Sequence, residues 1–356
     1  MKPLSVYDGV TQRRLAFLEN AYDISYKQQL NAVWTGSFKL PYFDPKKQYC
    51  LPLNLIEIWD VDGSGDDKHI GLFKIISIKE DLNGDSSDVI EYTLEHVFNS
   101  LINSYILGFK DFGGYGNETT GEIISAILEH QDEENWILGE CDYDDIFKYE
   151  FENSNLLNAL YTVSDRLIEN YYWSFNTQNF PWEVNLKKVL EDPVTDIRYG
   201  KNIFGMSREI DPRSLCTRLY IYGKTQEDGS YLTVTSLNDG KEYLDSEEGI
   251  ATYGIITMIV HEEYFETEQS LYDYGISLLQ KLDTPFITYK FDIKTINNAA
   301  NLKLGDTVRV VTEDGLDTNL VIQEIDKDDI SRSPNEGKIV VGQGTVELGI
   351  IIKQFI

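Results

Sequence analysis

The first third of the chain is written in short apolar–polar alternations. Leu53-Asn54-Leu55-Ile56-Glu57-Ile58-Trp59 and Gly71-Leu72-Phe73-Lys74-Ile75-Ile76-Ser77-Ile78 are β-branched and partly alternating, the period of a half-buried strand. Asp60-Val61-Asp62-Gly63-Ser64-Gly65 lies between them and supplies residues that tolerate positive φ. Val89 to Val97 alternates again after the turn Asn83-Gly84-Asp85. Two successive hairpins in one sheet are the economical reading. A small barrel or sandwich follows, because a lone hairpin is only marginally stable.

The period then changes. Gly108 to Gly116 is a glycine–aromatic loop, and Thr119-Thr120-Gly121-Glu122 behind it has the form of a capping box. Ile123, Ile124, Ile127 and Leu128 make one helical face. A second helix is predicted from near Ser154, with Leu156, Leu157, Leu160, Val163, Leu167 and Ile168 at helical spacing. Tyr171 to Phe175 and Trp182 to Leu186 read as strands around a turn at Asn176 to Pro181, completing an α+β module.

Strand patterns return at Thr217 to Gly223 and Tyr231 to Thr235, around the turn Asp228-Gly229. Asn238 to Gly249 reads as polar loop. A third helix is predicted from Thr267, with Leu271, Tyr274, Leu278 and Leu282 on one face and Pro285 beyond its end. Strands follow at Thr307 to Val311, Asn319 to Ile325 and Lys338 to Gly342, with a turn at Asp314-Gly315. The expected class is α+β, β-rich and multidomain. Its divisions are a first β module at 1–104, an α+β domain at 105–196, a second β module at 197–235 and 286–356, and a helical insert at 236–285.

The 356 residues fit two or three domains at about 150 residues each. With 31 basic and 60 acidic residues the formal charge is −29, which repels phosphate backbones and anionic lipids. Specific nucleic-acid binding is therefore not expected. Cys50, Cys141 and Cys216 are too few and too scattered for a disulfide framework or a paired-cysteine zinc site. The opening residues lack the apolar core of a secretory signal, and no stretch is long and apolar enough for a membrane-spanning helix.

Candidate chemistry is thin. Asp60, Asp62, Ser64, Gly65 and Asp66 begin a calcium-loop pattern, but its twelfth position is Gly71 where a bidentate Glu is needed, so a hairpin loop is expected. His69, His96, His130 and His261 have no zinc-helix spacing, and His261-Glu262-Glu263 lacks a zincin's downstream His. Gly113-Gly114-Tyr115-Gly116-Asn117-Glu118 precedes a helix but has no Gly-Lys-Ser/Thr ending, and Glu118 and Glu122 would repel phosphate there. Cys216 reads as packing, and so does the aromatic cluster of Tyr171, Tyr172, Trp173, Phe175 and Trp182. No Gly-x-Ser-x-Gly elbow occurs. No catalytic, cofactor-binding or metal site is expected, and no cofactor.

Five stretches together resemble a known family. They are Leu15 to Ala21, Leu30 to Pro41, Ile197 to Ile203, Thr217 to Gly223 and Leu304-Gly305-Asp306-Thr307-Val308. In their order and spacing they are similar to the tail-tip hub proteins of long-tailed phages and prophages, the "prophage endopeptidase tail" proteins. The resemblance implies two tail-tube-like β-barrel modules separated by smaller domains, and a homotrimer that forms a pseudo-sixfold ring on the tail tube. It implies a structural part of the virion tail tip, held in the host cytoplasm before assembly. Its partners would be other copies of itself, the distal tail and tape-measure proteins, and the host cell wall. The enzyme domain such proteins often carry would follow the last β module, where this chain stops at Ile356, so no enzymatic activity is expected. Two alternatives differ in class: a peptidoglycan-degrading protein, or a carbohydrate-binding one with an exposed aromatic platform.

Overall fold

The computed structural model describes residues 2–61, 65–82, 88–113, 118–167, 169–198, 203–263, 265–294, 302–312, 315–333 and 336–342. The turns expected at Asn83-Gly84-Asp85 and at Asp314, and the position of Ile168, lie outside them.

Seven strands open the chain: β1 (Leu4–Tyr7), β2 (Arg14–Leu18), β3 (Tyr22–Gln29), β4 (Thr35–Pro41), β5 (Leu55–Val61), β6 (Asp67–Asp81) and β7 (Val89–His96). β5, β6 and β7 pair antiparallel in succession, as the two predicted hairpins require. Alternation decides which face is inside: Ile90, Tyr92, Leu94 and His96 of β7 are all buried, while Thr93 between them is exposed.

The α+β domain holds β8 (Tyr105–Phe112), α1 (Thr120–Leu128), β9 (Trp136–Cys141), β10 (Tyr149–Asn155), α2 (Leu156–Ser164), β11 (Tyr171–Asn176) and β12 (Trp182–Lys188). The capping box forms: Glu122 accepts the Thr119 backbone N–H at 2.8 Å, and the Thr119 hydroxyl accepts the Glu122 N–H at 3.5 Å. α2 is shorter than predicted. It is capped by Asn155 and ends at Ser164, so Leu167 lies beyond the helix although it is still buried.

After β13 (Thr195–Arg198) and β14 (Ile203–Asp211) comes a unit of β15 (Arg218–Tyr222), β16 (Tyr243–Asp245), α3 (Glu247–Tyr253), β17 (Thr257–His261) and α4 (Glu268–Leu282). The chain closes with β18 (Phe286–Lys294), β19 (Thr307–Val311), β20 (Asp317–Lys327) and β21 (Glu336–Gly342). Thr267 caps α4, and Leu271, Tyr274 and Leu278 are buried as the helical spacing predicts, while Leu282 is only partly buried and Leu279 joins the core.

Three sequence expectations need correction. Tyr231 to Thr235 is not a strand. Leu232 donates its N–H to the Lys224 carbonyl, but the chain then turns in, and β16 takes the antiparallel place beside β15. The stretch Asn238 to Gly249 is not a plain loop, since it carries β16 and the start of α3. β15 does not join the second β module. It pairs with β16 and, in parallel, with β17, and its Leu219 and Ile221 pack with Leu244, Met258, Leu271 and Leu278 in a core of their own. The helical unit therefore takes in β15 and runs from about Pro212 to Pro285, rather than from residue 236.

The two β modules are one sheet. Its order is β14-β18-β21-β20-β3-β4-β7-β6-β5-β1-β2, with β19 and β13 branching from β20. The join is the antiparallel pair β20–β3, where Glu324 faces Gln29 and Lys327 faces Tyr26. A single apolar cluster runs beneath, from Leu4 and Phe38 through Ile197 to Phe291 and Val341. The path is open, and among the described residues it does not close, so the expected barrels are not seen as closed sheets.

Candidate assembly surface and buried junction

An acidic side chain buried at the module junction is also the first residue of the calcium-like pattern. Asp60, at the end of β5, is 2% exposed. It accepts the Tyr26 hydroxyl hydrogen bond at 2.8 Å and faces the Lys327 ammonium at 3.4 Å. Tyr26 and Lys327 are direct partners across the β3–β20 join, so one carboxylate of β5 holds both strands of the seam. Lys68 adds a second cation. Burial lowers its pKa and Asp60 opposes that shift, while its ammonium donates to the Leu302 carbonyl at 3.1 Å. Tyr26 is pushed well above the usual tyrosine range, first by burial and then by Asp60. At the surface end of the seam Lys27 pairs with Glu324 at 2.8 Å. Asp60 is thus a structural anion rather than an exposed cation ligand. Asp62 and Ser64 lie outside the described residues, and among the described residues no cluster of acidic, His or Cys side chains is suited to a metal.

The histidines are dispersed. His69 lies against Trp59 and 3.5 Å from Glu57, and His130 contacts the Ala126 carbonyl. His261 is exposed among tyrosines. His96 is 1% exposed and ringed by Trp34, Phe73, Trp136 and Phe175. Its Nδ1 accepts the Phe98 N–H at 3.3 Å, and its Nε2 has no hydrogen-bond partner among the described residues. Burial, helped by His69, pushes its pKa down to about 3. Above pH ~6.5 the ring is neutral in both folded and unfolded chains. Below that, the unfolded chain takes up a proton that the folded one refuses, so stability falls as pH drops through 6.5 toward 3. Between pH 6.5 and 5 this group is expected to remove about 1.5–2 kcal/mol. Urea unfolding of the wild type and of His96→Phe at both pH values measures it. An identical pH difference in the two proteins would refute the assignment.

The remaining candidates resolve into structure. The Gly113 N–H, which a phosphate loop would leave for its ligand, donates to the Glu118 carboxylate at 2.7 Å. Gly114 to Asn117 lie outside the described residues. Tyr171, Trp173 and Trp182 are buried in the core of the α+β domain, with Phe175 packed partly against it. The three cysteines are free thiols. Burial pushes Cys50 up to about 12 and Cys216 up to about 11, and raises Cys141, so none is a ready thiolate. A shallow groove of about 450 Å³ beside α1 is lined by Glu122, Ser125, Cys141 and Asp144. Its Glu122 carboxylate is engaged in the helix cap.

The free surface is more informative. Among the described residues the sheet ends at β2 and at β14, each with a partner on one side only. Leu15 and Phe17 of β2, and Met206 and Ile210 of β14, are exposed. The last residues of β6 pair with β7 but run past β5, leaving Ile76 and Ile78 exposed. The β8–β10 ribbon turns Tyr105, Leu107 and Phe109 outward. Unpaired edges with apolar side chains mark sites of strand pairing or subunit contact. Periodicity could not find them, because a strand at the rim of a sheet has the same alternation as one in its middle.

Residues 191–346 match the family described as "Prophage endopeptidase tail". Solved structures of similar fold include the prophage tail protein gp18 of Listeria monocytogenes EGD-e. It is 16% identical with a TM-score of 0.63, over 99% of this chain and 98% of that one. The tail protein of Neisseria meningitidis MC58 is 10% identical with a TM-score of 0.64, over 96% of both chains. The 43 kDa tail protein of prophage MuSo2 from Shewanella oneidensis is 11% identical with a TM-score of 0.60, again over 96% of both. No curated protein sequence matches the chain. The fold is therefore one shared with phage tail proteins along nearly the whole chain. The resemblance read from the sequence is borne out, and residues 191–346 carry the prophage-tail family's pattern.

Proposed function

We propose that the chain is a structural subunit of the phage tail tip, a baseplate hub that assembles as a homotrimer. Each copy would supply two β modules to a pseudo-sixfold ring that continues the tail tube and lets DNA pass. The observation that carries this reading is the single open sheet: two β modules fused at the β3–β20 seam, with unlike free edges at its ends. A contact between unlike edges is head-to-tail, and such contacts close into rings when the rotation allows. In this reading the protein is part of the virion, contacts the distal tail and tape-measure proteins, and meets the host cell wall. Its modules are residues 1–104, 105–196 and the later β strands, with the helical unit of β15 to α4 set aside from the ring. The word "endopeptidase" in the family's description is not carried over, and no turnover of purified peptidoglycan is expected.

The charge of −29 bears on the same reading. A ring that passes DNA must not hold it, and an acidic lumen repels phosphate. The expected results are no measurable binding of duplex DNA at physiological salt, and a trimer in sedimentation, alone or with its tail neighbours. The inner wall of that trimer should be more acidic than the outer. Monomer under every condition of salt and neighbour, or a basic inner wall, would overturn the reading.

A further inference from the structure

The helical unit has two unlike faces. Alternation along β15 sends Leu219 and Ile221 inward, under α4, and Arg218, Tyr220 and Tyr222 outward. The register stacks like with like. Tyr220 stands between Tyr243 of β16 and Ile259 of β17, Tyr222 stands beside His261, and Arg218 stands beside Asp245. The rings touch: Tyr220 and Tyr243 have centroids 5.4 Å apart, and Tyr222, Tyr231 and His261 lie 5.0–5.6 Å from one another. Tyr231 is 44% exposed and Ile259 60% exposed. The result is an aromatic surface about 13 Å long by about 10 Å wide, at strand spacings of about 3.3 Å per residue and about 4.8 Å between strands.

The polar groups around these rings narrow the occupant. The Arg218 guanidinium lies over the Tyr243 ring at 4.0 Å and is neutralised by a two-pronged bond to Asp245, 2.7 Å on each arm. Glu242 lies near enough to Tyr222 to help raise its pKa, after burial. Glu263, beyond Tyr231, accepts the Thr225 hydroxyl. The face thus offers hydrogen-bond donors and acceptors, and the cation that lies on its rings, Arg218, is already paired with Asp245, on a chain that is strongly acidic. A purely apolar partner would cover these polar groups without satisfying them. A neutral sugar matches both features. Its C–H face is drawn to the negative face of an aromatic ring, and its hydroxyls reach the donors and acceptors at the rim.

We propose that the outer face of the β16–β15–β17 sheet is a binding site for neutral glycans, with sugar rings stacked on Tyr220, Tyr222 and Tyr231. The site stands apart from the sheet edges invoked for the hub, and its test does not depend on oligomeric state. Saturation-transfer NMR on the full chain would use two neutral probes, a tetramer of N-acetylglucosamine and maltotetraose, beside a lysine-rich peptide. At least one sugar probe is expected to receive saturation through its ring C–H protons, unchanged by 0.5 M salt. Tyr220→Ala with Tyr222→Ala should weaken binding at least tenfold, while Tyr→Phe at both positions should keep most of it. If the double alanine variant fails to fold, the exposed Tyr231→Ala is expected to weaken binding several-fold on its own. No saturation of either sugar, undiminished binding in the folded variants, or binding of the peptide alone would each overturn the proposal.

Discussion

Replacing Asp60 with alanine is expected to destabilise the protein by about 3–5 kcal/mol, the range for breaking a buried ion pair by removing one partner. The change leaves the buried Tyr26 hydroxyl without its acceptor and takes the carboxylate away from Lys327 and Lys68. Its cost arises at the seam, because Tyr26 and Lys327 are opposite partners on β3 and β20. Asp60→Asn keeps an oxygen for Tyr26 but removes the charge, so its effect should be intermediate. Urea unfolding of the three proteins measures the order. Hydrogen exchange should show the extra opening first along β3 and β20. A loss below about 1 kcal/mol for the alanine variant would show that the junction is held by apolar packing alone.

A comparable loss is expected at Gly305. This residue has φ +80°, and a Cβ there would lie 2.6–2.8 Å from ring carbons of Tyr172. Those carbons include Cγ, which is close to the backbone of β11 and cannot swing clear as a side-chain tip would. Gly305→Ala combines the left-handed penalty, about 1–2 kcal/mol, with overpacking, typically 1–3 kcal/mol, for about 3 kcal/mol in all. The two parts can be separated. In a background of Tyr172→Ala the overpacking disappears, so Gly305→Ala should cost only about 1–2 kcal/mol there. Equal costs in both backgrounds would mean that Tyr172 does not press on this turn.

These two sites show what could be read in the chain. The stretch Leu304-Gly305-Asp306 was visible as a family-like feature, but its reason lies in Tyr172, more than a hundred residues away, and no local pattern carries that contact. Asp60 opens a run that only begins a calcium-loop pattern and reads as a hairpin loop, which says nothing of the burial of its carboxylate. Its burial is decided by a lysine on β20. Local chemistry was readable where the physics is local. The Thr119–Glu122 box, the α4 face and the β5–β6–β7 hairpins all follow from residues within one or two turns of each other. The errors fell where a strand had to choose among partners. Tyr231 to Thr235 has a strand's composition, but β16 holds the place beside β15, and β17 fills the other edge in parallel. The tyrosine face of that unit has no local signature for the same reason. Tyr220, Tyr222, Tyr231, Tyr243 and His261 are scattered over some forty residues, and only the register gathers them.

The seam also sets the order in which the protein can be made. β3 leaves the ribosome long before β20, which lies far along the chain, yet the free edge of β3 must wait for it. Until then the N-terminal module exposes both an open edge and the apolar underside that Phe291, Val308 and Val341 will later cover. Closing so long a loop is slow, and an uncovered edge invites pairing with other nascent copies. If the chain joins copies of itself at sheet edges, as proposed, those edges must be kept apart throughout its synthesis. Its strongly acidic chain supplies the repulsion that does so.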